Sequence, residues 1–178
     1  GLTSVFFDLG VDQIVSGGQT MNPSTDDILK AINRIPAETV LVLPNNKNII
    51  MAAEQCNDLT SKNVVVLPSK TIPQGISAML VFDASLPLEE LTETMSEAIS
   101  NVHTVHITHA ARDSDFDGHT IYEGDYLGLL DNSLLATDKE LFSLFEKVAD
   151  KFQSLNHEFI TIYYGGGASE HGASEVLK

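Results

Sequence analysis

Three groups of residues in this sequence have types and spacings that could do chemistry. Histidines recur at every third position in His103-x-x-His106-x-x-His109, and imidazoles are common metal ligands. The stretch Asp113-x-Asp115-x-Asp117-Gly118 matches the opening of a calcium-binding loop. Gly165-Gly166-Gly167 follows an apolar run, and a glycine-rich loop before a helix can accept a phosphate. These groups point to a metal site, a calcium site and an anion site respectively.

The spacing argues against all three sites. Residues 103–110 alternate like a strand, so His106 points away from His103 and His109, which lie roughly 20 Å apart at strand rise. A complete calcium loop needs an acidic ligand at its twelfth position, and that position is Gly124. The glycine run lacks the spacing of a nucleotide-binding loop. We therefore predict a strand, a polar turn and a connecting loop, with no metal site.

No nucleophile has the neighbours that would activate it. The sequence contains no Ser/His/Asp or Cys/His arrangement in a context typical of catalysis. Cys56 is the single cysteine, which excludes an internal disulfide, and its position in an amphipathic segment indicates a buried thiol. We expect no catalytic residue in this chain.

Three polar loops are the strongest candidates for a binding site. Each follows a short β-branched run and leads into a helical pattern, so in a parallel sheet all three lie at the carboxyl edge of the strands, where such sheets form clefts. Lys47 and Lys70 could contact an anion there. The predicted cleft residues are Gln19, Thr20, Asn22, Asn45, Asn46, Lys47, Lys70, Gln74 and Gly75.

The elements that position these loops alternate between strand and helix. We predict strands at residues 12–16, 39–43 and 63–67, and helices at 26–35, 48–59 and 74–82. A further helix pattern ends at Gly10, and a helix so close to the first residue indicates that the chain is part of a longer protein. Residues 1–86 are predicted to form a parallel, three-layer α/β piece.

After Pro87 the pattern changes from alternation to strands in succession. A helix at 88–101 precedes strand patterns at 103–110, 122–130 and 133–137, with a hairpin turn predicted at Asp131-Asn132. An amphipathic helix at 139–155, a buried strand at 159–164 and the start of a helix at 169–178 follow. The fold class is therefore α/β with two subdomains, and the second, residues 87–178, is a mixed-sheet α/β piece.

Charge is concentrated in the second part of the chain. The net charge is −15, and residues 88–178 hold five Lys/Arg against seventeen Asp/Glu. Such a surface repels nucleic acid and anionic lipid and attracts a basic protein surface. Two acidic groups stand out, a helical stripe and a turn: Glu89, Glu93, Glu97, Asp113, Asp115 and Asp117. We predict that a basic partner docks on these residues, and solubility alone is the alternative explanation.

Four of these stretches also resemble a known family. They are residues 17–25, 43–49, 72–79 and the run from Ala111-Arg112-Asp113 to Gly128. They resemble the C-terminal region of the bacterial dihydroxyacetone-kinase-like family, whose characterised members are the kinase subunit of fatty acid kinase. The similarity extends from about residue 5 to about residue 165, nearly the whole chain.

The resemblance implies a division of labour between domains. ATP and magnesium would bind an N-terminal kinase domain, and a central domain would supply catalytic residues and the surface of a homodimer. The C-terminal region would be non-catalytic, bind no cofactor, and have the DegV-like fold of the fatty-acid-binding subunit. It would dock that subunit through an acidic groove, so that the bound fatty acid is phosphorylated for phospholipid synthesis. The chain would also stop short of a final strand.

One alternative function stays open at this point. The strand-to-helix loops could make the chain a lipid- or anion-binding module, with Lys47 and Lys70 at a head group. No apolar run approaches the roughly 20 residues that span a bilayer, and no basic leader precedes an apolar stretch. We therefore expect a cytoplasmic protein without a membrane span.

Overall fold

A computed structural model describes residues 1–18, 22–116, 118–130, 133–153 and 159–165. The chain is α/β, as the sequence predicts, and divides into two compact units. The first unit is Gly1–Thr104, and the second begins at Val105. The sequence places this division after residue 86; in the structure it follows the next helix, because that helix packs on the first unit.

The first unit contains five helices and two strands among the residues described. In chain order they are α1 (Leu2–Asp8), α2 (Thr25–Arg34), β1 (Thr39–Val42), α3 (Ile50–Gln55), β2 (Asn63–Val66), α4 (Ile72–Leu80) and α5 (Leu88–Ser100). A 3-10 turn, Cys56–Leu59, continues α3. β1 and β2 pair in parallel, with Thr39 opposite Asn63 and Val42 opposite Val66.

The two faces of this strand pair are covered by different helices. Successive side chains of a strand point to opposite faces, so β1 and β2 can bury apolar side chains in both directions. One core consists of Ile28, Ile32, Val40, Ile49, Cys56 and Val64. The other consists of Leu67, Ala78, Leu91, Met95 and Ile99. Helices α2 and α3 therefore form one outer layer and α4 and α5 the other, which gives the predicted three layers.

The start of α2 is fixed by a capping box. The Ser24 hydroxyl accepts the backbone N–H of Asp27 at 3.2 Å, and the Asp27 carboxylate accepts the backbone N–H of Ser24 at 3.1 Å. These two bonds satisfy donors that a helix start otherwise leaves unpaired. The bonds from Ser24 also hold the pKa of the Asp27 carboxyl below its ordinary value.

Two sequence predictions for the first unit need correction. Residues 12–16 form no strand, although Val15 does pack against the core of α2 and α3. Its apolar character thus reflects burial without backbone pairing. Helix α4 begins at Ile72, two residues before the predicted start, because Thr71 caps it and Pro73 is tolerated in the first turn. Cys56 is fully buried, as predicted, and burial raises the pKa of its thiol.

The second unit combines antiparallel strands with one long helix. Its elements are β3 (Val105–His109), β4 (Ser114–Phe116), β5 (His119–Ile121), β6 (Tyr126–Leu130), β7 (Ser133–Asp138) and α6 (Leu141–Gln153). The strand order of the larger sheet is β3-β6-β7, while β4 and β5 form a separate hairpin. Within the described ranges, every strand pair of this unit is antiparallel.

Helix α6 packs on the larger sheet at a glycine. A Cβ atom on Gly128 of β6 would lie 3.1 Å from a methyl group of Val148, closer than side chains normally approach. The missing side chain therefore lets the helix lie close to the strand. Leu144 of α6 is fully buried in the same contact region of the unit.

The predicted buried strand at residues 159–164 is wrong. These residues pair with no described strand, and Phe159 is 87% exposed. Their β-branched and aromatic composition favours a strand, but composition alone does not supply a neighbouring edge. The predicted turn at 131–132, the end of the helix at 154–155 and the helix start at 169–178 lie outside the described residues. Of the helices described, none is long and apolar enough to cross a bilayer.

Candidate functional site

Two of the three predicted polar loops meet at the carboxyl edge of β1 and β2. The loop after β1 carries Asn45, and the loop after β2 carries Ser69. The Ser69 hydroxyl donates to Asn45 Oδ1 at 2.7 Å and accepts the backbone N–H of Asn45 at 3.0 Å. Ser69 is fully buried, so this pair of hydrogen bonds satisfies polar atoms that water does not reach.

Gly75 completes this junction from α4. Asn45 has a φ of +56°, a left-handed conformation that asparagine tolerates better than most residues. Its side chain lies so close to α4 that a Cβ on Gly75 would be 2.1 Å from Asn45 Oδ1. We call Asn45, Ser69 and Gly75 the edge lock, because together they fix both loops to the start of α4.

A second set of hydrogen bonds joins the loop after β2 to the end of the first unit. Gln74 Oε1 accepts the backbone N–H of Lys70 at 2.7 Å, and Gln74 Nε2 donates to the carbonyl of Val102 at 3.4 Å. The hydroxyls of Thr71 and Thr104 lie 2.8 Å apart. The predicted cleft residue Gln74 therefore holds backbone within the unit.

The remaining predicted cleft residues are less engaged with the edge. Asn46 is half-buried and accepts the backbone N–H of Asn48 at 3.0 Å. Asn22, Lys47 and Lys70 are exposed. Gln19 and Thr20 lie outside the described residues. The structure thus brings Asn45, Gln74 and Gly75 to one edge, and a ligand role for the cleft set stays a prediction.

Sequence reasoning missed Ser69, Thr71 and Thr104. Thr71 precedes Ile72-Pro73 and could have been identified as a helix cap, since Ser and Thr are favoured there and proline is favoured in the first turn. Ser69 and Thr104 carry no comparable local signal. Their partners are 24 and 33 residues away in sequence.

Replacing Ser69 with alanine should destabilise the chain by about 1–3 kcal/mol, because the buried N–H of Asn45 loses its acceptor. Chemical denaturation followed by circular dichroism measures the change. Ser61, exposed in the turn before β2, provides the matched control, and its replacement by alanine should cost less than about 0.5 kcal/mol. Equal stability of the Ser69 variant and the unmodified chain would contradict a structural role for the edge lock.

The predicted acidic stripe lies on the outer face of α5. Glu89, Glu93 and Glu97 are exposed, while Leu91, Met95 and Ile99 on the other side of the helix are buried. The inner contacts fix the helix in position, so its outer carboxylates are presented on a firm support. None of the three carboxylates forms an ion pair within the described part of the chain.

The predicted acidic turn belongs to the β4–β5 hairpin. Asp113 accepts the backbone N–H of Glu123 at 2.7 Å, and Asp115 accepts the hydroxyl of Thr120 at 3.0 Å. Asp117 lies outside the described residues, and Gly118 next to it has a φ of +79°. The exposed Asp113 and Asp115 thus also organise the hairpin. This arrangement matches the predicted polar turn between strands.

The histidine series forms no cluster. His106 and His109 lie within β3 and are exposed, whereas His103 precedes the strand. The His109 ring stacks on Tyr126, with 4.3 Å between ring centroids. Across the described ranges, no group of three His, Cys, Asp or Glu side chains is placed to hold a metal ion.

Comparison with known proteins supplies a family. A profile of the FakA-like family, which describes the C-terminal part of fatty acid kinase subunits of this type, matches residues 1–178. Protein YloV of Bacillus subtilis (strain 168) is 38% identical over 176 residues, which is 99% of this chain and 32% of YloV. An uncharacterized protein of Staphylococcus aureus (strain USA300) is 35% identical over 170 residues, 96% of this chain and 31% of that protein. The chain spans about a third of the length of these curated relatives.

Proposed function

This chain belongs to the C-terminal family of FakA-like fatty acid kinase subunits, and on that premise we propose that it is a non-catalytic docking domain. In this proposal the chain binds a separate fatty-acid-binding subunit through an acidic surface. ATP, magnesium and the catalytic residues belong to other domains of a longer kinase, which phosphorylates the presented fatty acid on its carboxylate. The parent protein is a homodimer through another domain.

The observation that carries the proposal is the exposed carboxylate stripe of α5. Glu89, Glu93 and Glu97 repeat at four-residue spacing, so they stack along one side of the helix. Like charges at this spacing repel one another by a few tenths of a kcal/mol per pair, so the stripe does not serve helix stability. A surface rich in Lys and Arg on the partner would neutralise this repulsion and be steered toward it.

The proposed docking surface includes the hairpin only in a secondary role. Asp113 and Asp115 add negative charge to the second unit, but each carboxylate also accepts a hydrogen bond that shapes the hairpin. A substitution there would change both charge and local structure. The stripe of α5 therefore provides the cleaner test of charge-guided docking.

The alternative function, a lipid- or anion-binding module at the strand-to-helix loops, has weaker support. Asn45, Ser69 and Gln74 spend their polar atoms on one another and on backbone. Lys47 and Lys70 are exposed and could meet an anion, but exposed lysines are common. A rise in melting temperature on adding fatty acid would favour this alternative, because a ligand that binds only the folded state stabilises it.

Calorimetric titration of the chain with its cognate fatty-acid-binding subunit tests the proposed function. We expect saturable binding with one subunit per chain, and no ATP turnover by the chain alone above a buffer control. Addition of an unrelated acidic protein of similar charge controls for non-specific attraction. Absence of binding at concentrations of about 100 μM, where even weak specific complexes form, would contradict the proposal.

A further inference from the structure

Four apolar residues at the junction of α4 and α5 are exposed to solvent. They are the last residue of α4, the two residues after it and the first residue of α5: Leu80, Val81, Phe82 and Leu88. The exposed fractions are 68% for Leu80 and 39% for Phe82. We call these four residues the apolar corner. Single exposed apolar side chains are common, but a continuous group of them marks a surface that contacts something.

The backbone at the apolar corner is held in place. The N–H of Phe82 donates to the carbonyl of Met79 at 3.3 Å, and the N–H of Leu86 donates to the carbonyl of Asp83 at 3.2 Å. Met79 and Leu86 pack against the core beneath α5. The corner therefore has an inward side that is satisfied and an outward side that is not. A surface already ordered in this way loses little conformational entropy when a partner binds.

Negative charge borders the apolar corner. From Thr71 to Val102 the sequence contains five carboxylates and no Lys, Arg or His. Glu89 and Glu90 follow Leu88 directly and are exposed in the first turn of α5. An apolar centre with a charged rim is the usual composition of a protein–protein interface. The sign of this rim selects a partner whose own rim carries Lys or Arg.

Resting on the proposed function, we propose that the apolar corner is the anchor of the docking surface and receives an apolar side chain that the partner presents within a ring of basic residues. The carboxylates of α5 guide the encounter, and burial of the apolar corner holds the complex together. The same charge disfavours two other occupants, because a second copy of this chain would bring like charge to the contact and an anionic membrane would be repelled.

Replacing Leu80 and Phe82 together with serine tests this inference by titration with the cognate fatty-acid-binding subunit. We expect the dissociation constant to rise about tenfold or more, while its dependence on salt concentration stays as in the unmodified chain, because an apolar contact is not screened. Leu80→Ser alone, at the most exposed position, should show a smaller rise and keeps the test valid if the double variant loses stability.

The matched control replaces two exposed apolar residues of the opposite layer. Met51 on α3 and Leu59 after it are 70% and 58% exposed, and α3 packs on the other face of β1 and β2. Their replacement by serine should leave binding unchanged. Unchanged binding of the Leu80/Phe82 variant, or equal weakening by both pairs, would overturn the inference while leaving charge-guided docking intact. Failure of the unmodified chain to bind would overturn both.

Discussion

Replacing Glu89, Glu93 and Glu97 together with lysine should weaken binding of the cognate fatty-acid-binding subunit about a hundredfold. The substitution removes three attractive charges and puts three repulsive ones on the same exposed side of α5. Steering of the encounter should suffer most, so the association rate is expected to fall more than the dissociation rate rises. Surface plasmon resonance with the immobilised subunit measures both rates.

A control variant separates docking from net charge. Glu38, Glu54 and Asp58 are exposed at the start of β1 and on the layer of α2 and α3, and their replacement by lysine changes the net charge by the same amount. We expect this variant to bind within about threefold of the unmodified chain. Similar loss of binding in both triple variants would contradict a docking role for the stripe of α5. Melting temperatures of all three proteins establish that they are folded.

Replacing Gly75 with alanine should destabilise the chain by about 2–3 kcal/mol. In an ordinary helix interior the same substitution stabilises by roughly 0.5–1 kcal/mol, so the expected sign is reversed. The reason is the edge lock: the added methyl group would lie 2.1 Å from Asn45 Oδ1. Asn45 cannot withdraw without breaking its hydrogen bond to Ser69. Thermal and chemical denaturation measure the change.

A double-mutant cycle assigns this loss to its cause. Asn45→Gly removes the side chain that Gly75→Ala strikes, and glycine accepts the φ of +56° without strain. In that background the alanine at position 75 should cost little or stabilise, and the two changes should be strongly non-additive. An equal cost of Gly75→Ala in both backgrounds would show that the contact with Asn45 is not the source of destabilisation.

The parallel three-layer piece could be predicted because its pattern is local. The β-branched runs at Thr39–Val42 and Asn63–Val66 alternate with amphipathic segments, and each pattern reports the burial of its own side chains. Residues 12–16 show the limit of this reasoning. Val15 is packed on the core, so its apolar character was interpreted correctly as burial, but a strand also needs a paired edge. The pattern carries no information about pairing.

The edge lock could be predicted only in part. The position of two polar loops at one edge follows from parallel strand order, and the structure places Asn45, Gln74 and Gly75 there. The direction of each side chain does not follow. Asn45 turns inward because of its left-handed backbone and its bond to Ser69, a residue 24 positions away. A loop that looked suited to a ligand on composition thus uses much of its polarity internally.

The division of the chain shows how packing overrides sequence order. Pro87 and the change of pattern after it suggested a boundary before the helix that follows. Helix α5 instead shares a core with α4 through Leu91, Met95 and Ile99. This packing places the acidic stripe on the first unit, while Asp113 and Asp115 belong to the second. The two predicted acidic groups are therefore parts of different units.

The salt dependence of the dissociation constant, measured by titrating the unmodified chain with its cognate fatty-acid-binding subunit, tests charge-guided docking most directly. Screening shortens the reach of exposed charges from about 14 Å at 50 mM salt to less than about 6 Å at 300 mM. We predict that the dissociation constant rises about tenfold or more over this range. A dissociation constant that stays constant, or falls, would contradict a docking surface built on the carboxylates of α5.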